Sequence, residues 1–239
     1  MNRRTLMLAT LAALTAPQGL RAAQVPTLNG PRLPAAKGPA RILVVLCHGF
    51  GADGNDLFGL ARPLQSYLPT AAFVSPNGPE RVEGGGYRWF DNGPNFGNVL
   101  HEVLTAAPAL NTFADSELAR LKLTPDRLIF VGFSQGATTV LNVGLRRKPR
   151  PIAVVAYAGA RLSLENLPER FDGEPPVLLC RGSEDPQSRA DDMENAIQVL
   201  TNRGLNVQSR TFPGLGHGIN DGEILLAGEF LRKAARSRP

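Results

Sequence analysis

Gly132-Phe-Ser-Gln-Gly136 places one serine between two glycines. A serine hydroxyl at its free pKa is a weak nucleophile. For acyl transfer it needs a general base, a carboxylate to orient that base, and N–H donors for the developing oxyanion. The chain has three histidines, His48, His101 and His217. Where a G-x-S-x-G serine follows a strand and opens a helix, acid and then histidine follow it in the chain. Only His217 lies beyond Ser134, so His217 is the base. His101 falls inside a long helical pattern and reads as a surface or packing residue. The acid should follow a strand between these two positions. Val177-Leu-Leu-Cys180 is such a strand and leads into Arg-Gly-Ser-Glu-Asp at 181–185, which offers Glu184 and Asp185. Asp172, Asp191 and Asp192 read as solvated. The Gln135 N–H, one residue past the serine, is the first oxyanion donor, and the loop His48-Gly-Phe-Gly51 offers the Phe50 N–H as the second. That loop continues through Asp53, Asn55 and Asp56, but Leu57 stands where a calcium loop needs an oxygen ligand, so no metal is expected.

These residues need a scaffold that holds loops above a rigid sheet. Continuous apolar runs at 42–47, 128–131, 152–156 and 177–180 read as strands buried on both faces. Residues 71–75 and 207–212 supply two more strands. Helical spacing appears at 56–68, 98–121 (with a possible break at Pro108), 136–147, 189–203 and 219–235. Alternation of this kind predicts an α/β fold with a mostly parallel central sheet and helices on both faces. The serine pentapeptide then sits at a strand–turn–helix junction, where a helix N-terminus favours negative charge. Residues 76–97 form a long loop rich in Gly, Pro and Asn, of the length usual for a functional loop.

The N-terminus reads differently. Arg3-Arg4, an apolar stretch over 6–16 and small residues at Ala22-Ala23 resemble an export signal, with a twin-arginine character. The expected organisation is a removable leader at 1–23, an extended arm at 24–40 and a single domain at 41–239. The product would be periplasmic or secreted, or cytoplasmic if the leader stays unprocessed. The apolar stretch is too short for a stable membrane span. The net charge of +5 falls to 5 − 3 = +2 without Arg3, Arg4 and Arg21, and apart from 146–148 the remaining cations are scattered. A nucleic-acid partner is therefore not expected; the partner called for is a small ester or acyl substrate, and oligomeric state is left open.

Five stretches, CHGFGADGNDL (47–57), SPNGPE (75–80), RWFD (88–91), GFSQG (132–136) and GLGHGI (214–219), come in an order that resembles the phospholipase/carboxylesterase family of α/β hydrolases, relatives of the acyl-protein thioesterases. The resemblance spans roughly 41–235. It implies the α/β-hydrolase fold, a triad of Ser134, Asp185 and His217, an oxyanion hole from Phe50 and Gln135, and no cofactor. Trp89, in the RWFD stretch, is either the aromatic wall of the acyl pocket or a pin that fixes the loop to the core. In the sheet so implied, the strands ending at Cys47 and Cys180 lie about three steps apart, too far for a disulfide. The sequence departs from the family pattern around the acid. Arg181 replaces a histidine, and Gln187-Ser-Arg189 replaces Val-Val-Pro. The activity implied is a serine carboxylesterase for short or medium acyl chains. The alternatives are a thioesterase or lysophospholipase at the same site, and an inactive binding scaffold, which the presence of Ser134 and His217 argues against.

Overall fold

The computed structural model describes residues 25–91 and 96–237. The leader expected at 1–23 lies outside the described residues, as does part of the long loop at 76–97. The chain runs β1 (Arg32–Leu33), β2 (Ile42–Cys47), α1 (Gly54–Phe58), α2 (Ala61–Gln65), β3 (Ala71–Val74), β4 (Glu80–Arg81) and β5 (Tyr87–Arg88). It continues α3 (Phe96–Thr105), α4 (Ala107–Arg120), β6 (Leu128–Phe133), α5 (Gln135–Arg146), β7 (Ala153–Tyr157), β8 (Gly173–Gly182), α6 (Ala190–Asn202), β9 (Leu205–Phe212) and α7 (Asp221–Arg236).

Among the described residues seven strands form one sheet in the order β1-β3-β2-β6-β7-β8-β9. All neighbours pair in parallel except the edge strand β1, which is antiparallel to β3. The unbroken apolar runs of β2, β6 and β7 follow from burial on both faces. In β2, Leu43, Val45 and Cys47 point into one apolar layer, with Val103, Leu110, Val140 and Leu200 from α3, α4, α5 and α6. Ile42, Val44 and Leu46 point into the other, with Leu57, Leu64 and Leu231 from α1, α2 and α7. Cys47 and Cys180 lie on strands separated by three steps in the sheet order and belong to opposite layers, and both are free thiols.

Two expected helices are each broken into a pair. The pattern at 56–68 forms α1 and α2, because Pro63 has no N–H to give the Gly59 carbonyl. The pattern at 98–121 breaks at Ala106, and Pro108 lies in the first turn of α4, where a missing N–H is harmless. The loop at 76–97 contains the two-stranded ribbon β4–β5. The arm is packed rather than loose. Its β1 residue Arg32 donates from Nη2 to Glu117 Oε1 at 2.6 Å, while Arg120 holds the other carboxylate oxygen at 2.7 Å.

The parallel strands β2, β6, β7, β8 and β9 all end on the same edge, so the loops after them meet there. Ligands of open α/β sheets bind at that edge.

Candidate active site

Ser134 sits between β6 and α5 with φ 55° and ψ −115°, a conformation that an L-residue holds only under strain of about 1–3 kcal/mol. Its backbone is pinned on both sides. The Ser134 N–H donates to Tyr157 O at 2.8 Å, and Ser134 O accepts from the Thr138 N–H at 3.1 Å. The flanking glycines are required by close approach. A Cβ on Gly132 would lie 2.4 Å from Gly136 O, and one on Gly136 would lie 2.0 Å from Cys47 O. Only hydrogen at both positions lets the turn close against β2 and lift the serine above the sheet.

His217 lies on the turn between β9 and α7. Its Nε2 is 3.0 Å from Ser134 Oγ, and its Nδ1 is 2.8 Å from Asp185 Oδ2. This arrangement assigns the proton to Nδ1 and leaves Nε2 to accept from the serine hydroxyl. The turn is stitched to the loop after β8: the Glu184 N–H donates to Leu215 O at 3.0 Å, and the Gly214 N–H donates to Ser183 Oγ at 2.9 Å. Of the two acids that the sequence left open, Asp185 faces the histidine, while the exposed Glu184 contributes its backbone to the turn. The Asp185 side chain is fully buried, and its second oxygen accepts from the Gln187 and Ser188 N–H groups at 2.8 and 3.1 Å. Burial pushes this carboxyl up, but the His217 bond and the two backbone donors outweigh it, and the group stays below its ordinary range.

The departure from the family pattern has a visible use here. Arg181 Nε donates to Ser188 O at 3.1 Å, and so braces the residue whose own N–H holds Asp185.

Phe50 and Gln135 both border the cavity that holds Ser134, which has a volume of about 770 Å³. The loop carrying Phe50 is fixed by the Gly51 N–H donating to Tyr87 O at 2.9 Å and by the Tyr87 N–H donating back to Ala52 O at 2.8 Å. Asp53 serves as the N-cap of α1, accepting from the Asn55 N–H at 2.7 Å. Among the described residues no group of three or more His, Cys, Asp or Glu side chains could hold a metal.

Trp89 does not wall this cavity. It is 1% exposed and absent from the lining, and the ring lies against His48 with centroids 5.4 Å apart. Its indole N–H donates to His48 O at 2.9 Å. An indole N–H buried this deeply needs an acceptor, and the carbonyl at the root of the Phe50 loop provides one. Trp89 therefore pins the loop, and its neighbour Phe90 borders the cavity instead.

Sequence reasoning missed two clamps. The Gln135 side chain accepts from the Trp89 N–H through Oε1 and donates to Phe90 O through Nε2, both at 2.8 Å. His48, fully buried, donates from Nδ1 to Gly49 O at 2.7 Å and accepts from the Gly78 N–H at Nε2, 2.9 Å away. Burial lowers its pKa and favours this neutral form. The only signal in the sequence was position: Gln135 carries one proposed oxyanion N–H, and His48 stands two residues before Phe50, which carries the other. His101 is exposed and pairs with Glu165 at 3.0 Å, and neither residue borders the cavity that holds Ser134.

Comparison with known proteins places the chain in a family. Residues 28–235 match the phospholipase/carboxylesterase family model. An acyl-protein thioesterase 1 of Debaryomyces hansenii is 25% identical over 218 residues, covering 84% of this chain and 94% of the relative. Its counterpart in Saccharomyces cerevisiae is 26% identical, covering 88% of this chain and all of the relative. Among solved structures, esterase PE8 is 36% identical with a TM-score of 0.79, covering 87% of this chain and 99% of that one. A carboxylesterase from Mesorhizobium loti, at 24% identity and a TM-score of 0.72, shares the fold. The chain belongs to the phospholipase/carboxylesterase family of α/β hydrolases and is a carboxylic-ester hydrolase.

Proposed function

We propose that the protein is a serine carboxylesterase for short or medium acyl chains, working through an acyl-enzyme on Ser134. The observation that carries this reading is the continuous relay Ser134–His217–Asp185, with links of 3.0 and 2.8 Å, on a strained strand–helix turn. Ser134 Oγ attacks the ester carbonyl carbon while His217 Nε2 takes its proton. The carbonyl oxygen becomes an oxyanion facing the Phe50 and Gln135 N–H groups. Collapse of the tetrahedral adduct expels the alcohol, which takes the proton back from Nε2. Water then attacks the acyl carbon with the same base, and Ser134 is released with the carboxylic acid. Asp185 stays ionised throughout and stabilises the imidazolium that forms twice in each cycle.

Ser134→Ala should lower kcat by about 10⁴ to 10⁶ on p-nitrophenyl acetate, and a fluorophosphonate probe should label the wild type at Ser134 alone. A variant retaining activity within tenfold of wild type would remove Ser134 from the mechanism.

Thioester hydrolysis is the second reading, supported by the relatives named acyl-protein thioesterases. Thioesters of matched acyl length, run beside the oxygen esters, separate the two. One catalytic domain following a removable leader is part of the same proposal, and N-terminal sequencing of the protein from the cell envelope tests it. No helix among the described residues is long and apolar enough to cross a membrane.

A further inference from the structure

The cavity has a wall that the hydrolytic steps do not use. Arg161, on the loop after β7, pairs with Asp192 in the first turn of α6, Nε to Oδ2 at 3.2 Å. Arg189, just before α6, pairs with Asp191, Nη2 to Oδ2 at 3.2 Å. Asn195 follows Asp192 by three residues and so lies on the same face of the helix, and Gln187 joins them from the acid loop. All six side chains belong to residues bordering the cavity that holds Ser134.

The charges on this wall cancel, two guanidiniums against two carboxylates. Neither an anionic nor a cationic substrate finds an uncompensated partner there. The wall is nevertheless dense in N–H donors and in carboxylate and amide acceptors. A hydrocarbon chain laid against it would strip water from two ion pairs and return no hydrogen bonds, which is unfavourable. An uncharged group bearing several hydroxyls replaces that water donor for acceptor. Phe50, 51% exposed on the same rim, presents a flat apolar face to the C–H side of such a group.

We propose that the substrate is a short-acyl ester of an uncharged, hydroxyl-rich alcohol, a sugar or polyol, whose hydroxyls are read by Arg161, Asp192, Asn195 and Gln187. This inference rests on the ester-hydrolase reading with Ser134 as nucleophile. It sets aside the lysophospholipid alternative on the alcohol side, because a charged headgroup finds no uncompensated partner on this wall; the apolar part of the lining, Phe90, Ala158, Ala160, Leu162 and Pro186, is left to the acyl group.

The test compares two acetyl esters of primary alcohols, glucose 6-acetate and hexyl acetate, with p-nitrophenyl acetate run alongside. Wild type should favour glucose 6-acetate over hexyl acetate by about tenfold or more in kcat/KM, chiefly through KM. In the double variant Arg161→Leu with Asp192→Leu, that ratio should fall at least tenfold. Replacing an ion pair by apolar side chains of similar volume is commonly tolerated by a fold. Asn195→Leu is a second, independent variant and should move the ratio in the same direction. Melting temperatures on the same preparations identify any loss of fold, and the ratio is insensitive to the active fraction. Hexyl acetate preferred or equal in the wild type, or a ratio unmoved by both variants, would overturn the specificity inference alone, provided that p-nitrophenyl acetate is cleaved and Ser134→Ala abolishes it. Absence of Ser134-dependent cleavage of all three esters would overturn the hydrolase reading and this inference with it.

Discussion

Glu223 is completely buried, and among the described residues its Oε1 meets no hydrogen-bond partner. Its Oε2 accepts from the Asn220 N–H at 3.1 Å, and Asn220 Oδ1 accepts from the Glu223 N–H at 2.9 Å. This capping box starts α7 at the end of the turn that carries His217. Burial pushes the Glu223 carboxyl from 4.5 up to about 7; the Asn220 bond opposes the rise, and the charge of Asp185 adds to it. With the folded-state pKa above the unfolded one, the stability associated with this proton is complete below about pH 4.5 and is lost as pH rises through about 7. At about 1.36 kcal/mol per pH unit, the rise amounts to about 3 kcal/mol. For a chain of this size that is about 6–12 °C in melting temperature. Glu223→Gln keeps an N3 acceptor for the capping box and cannot ionise. Melting temperatures of the two proteins from pH 4 to pH 9 form the assay. The variant should gain on wild type steadily between about pH 4.5 and 7, with a constant gap on either side. A fixed offset from placing an amide in a tight site would be present already at pH 4, so the slope isolates ionisation. Parallel curves, or a gap that widens toward acid, would refute the reasoning.

Asp185→Asn should lower kcat by about 10² or more, because it loses the bond that fixes the His217 tautomer, while Glu184→Gln should change it less than tenfold; ester turnover of both variants gives the ranking. Trp89→Ala should cost about 3–5 kcal/mol, as expected for a buried tryptophan. Denaturant unfolding reads that loss, and the acyl-length profile of the surviving enzyme should stay as in wild type, since the ring does not border the cavity. Gln135→Ala leaves its backbone donor in place but orphans the Trp89 N–H and the Phe90 carbonyl, each worth about 1–3 kcal/mol when buried. It should lower both melting temperature and kcat, and an unchanged kcat would show that the clamp plays no part in turnover.

The sheet was legible because β2, β6 and β7 are buried on both faces, and such strands appear in the sequence as unbroken apolar runs. Ser134 and His217 were legible because few residues compete for their roles: one G-x-S-x-G stretch, and one histidine after it. The choice between Glu184 and Asp185 rested on the family resemblance and not on the residues themselves, since adjacent carboxylates on a turn differ only in direction, and direction is set by the Gln187 and Ser188 N–H groups and by Arg181 behind them. Helix breaks were read poorly because the apolar stripe at 56–68 continues through Pro63, whose backbone, not its hydropathy, ends the hydrogen-bond ladder. Strands of two residues, as in β1, β4 and β5, are too short to show any period.

That Trp89 stayed open between two roles has a more general cause. Its presence in a loop near the nucleophile pointed equally to a pocket wall and to a pin, because both roles call for a large aromatic side chain with one polar atom. What separates them is where the indole N–H finds its acceptor, and that acceptor is the carbonyl of His48, a backbone atom that no sequence pattern records. The same holds for the whole brace around the oxyanion loop. His48 ties its neighbour Gly49 to Gly78, and Gln135 ties the nucleophile turn to Trp89 and Phe90, so that in each case a side chain reaches backbone 30 or more residues away. Such bonds leave the polar side chain buried and satisfied, so it presents to solvent nothing that could react. In the proposed mechanism the Phe50 and Gln135 N–H groups, which come from two different segments, must stay still as charge develops, and this arrangement braces both. Its rigidity comes from neighbours that take no part in the proton transfers, and those neighbours can be mutated to test positioning without touching the nucleophile, the base or the acid.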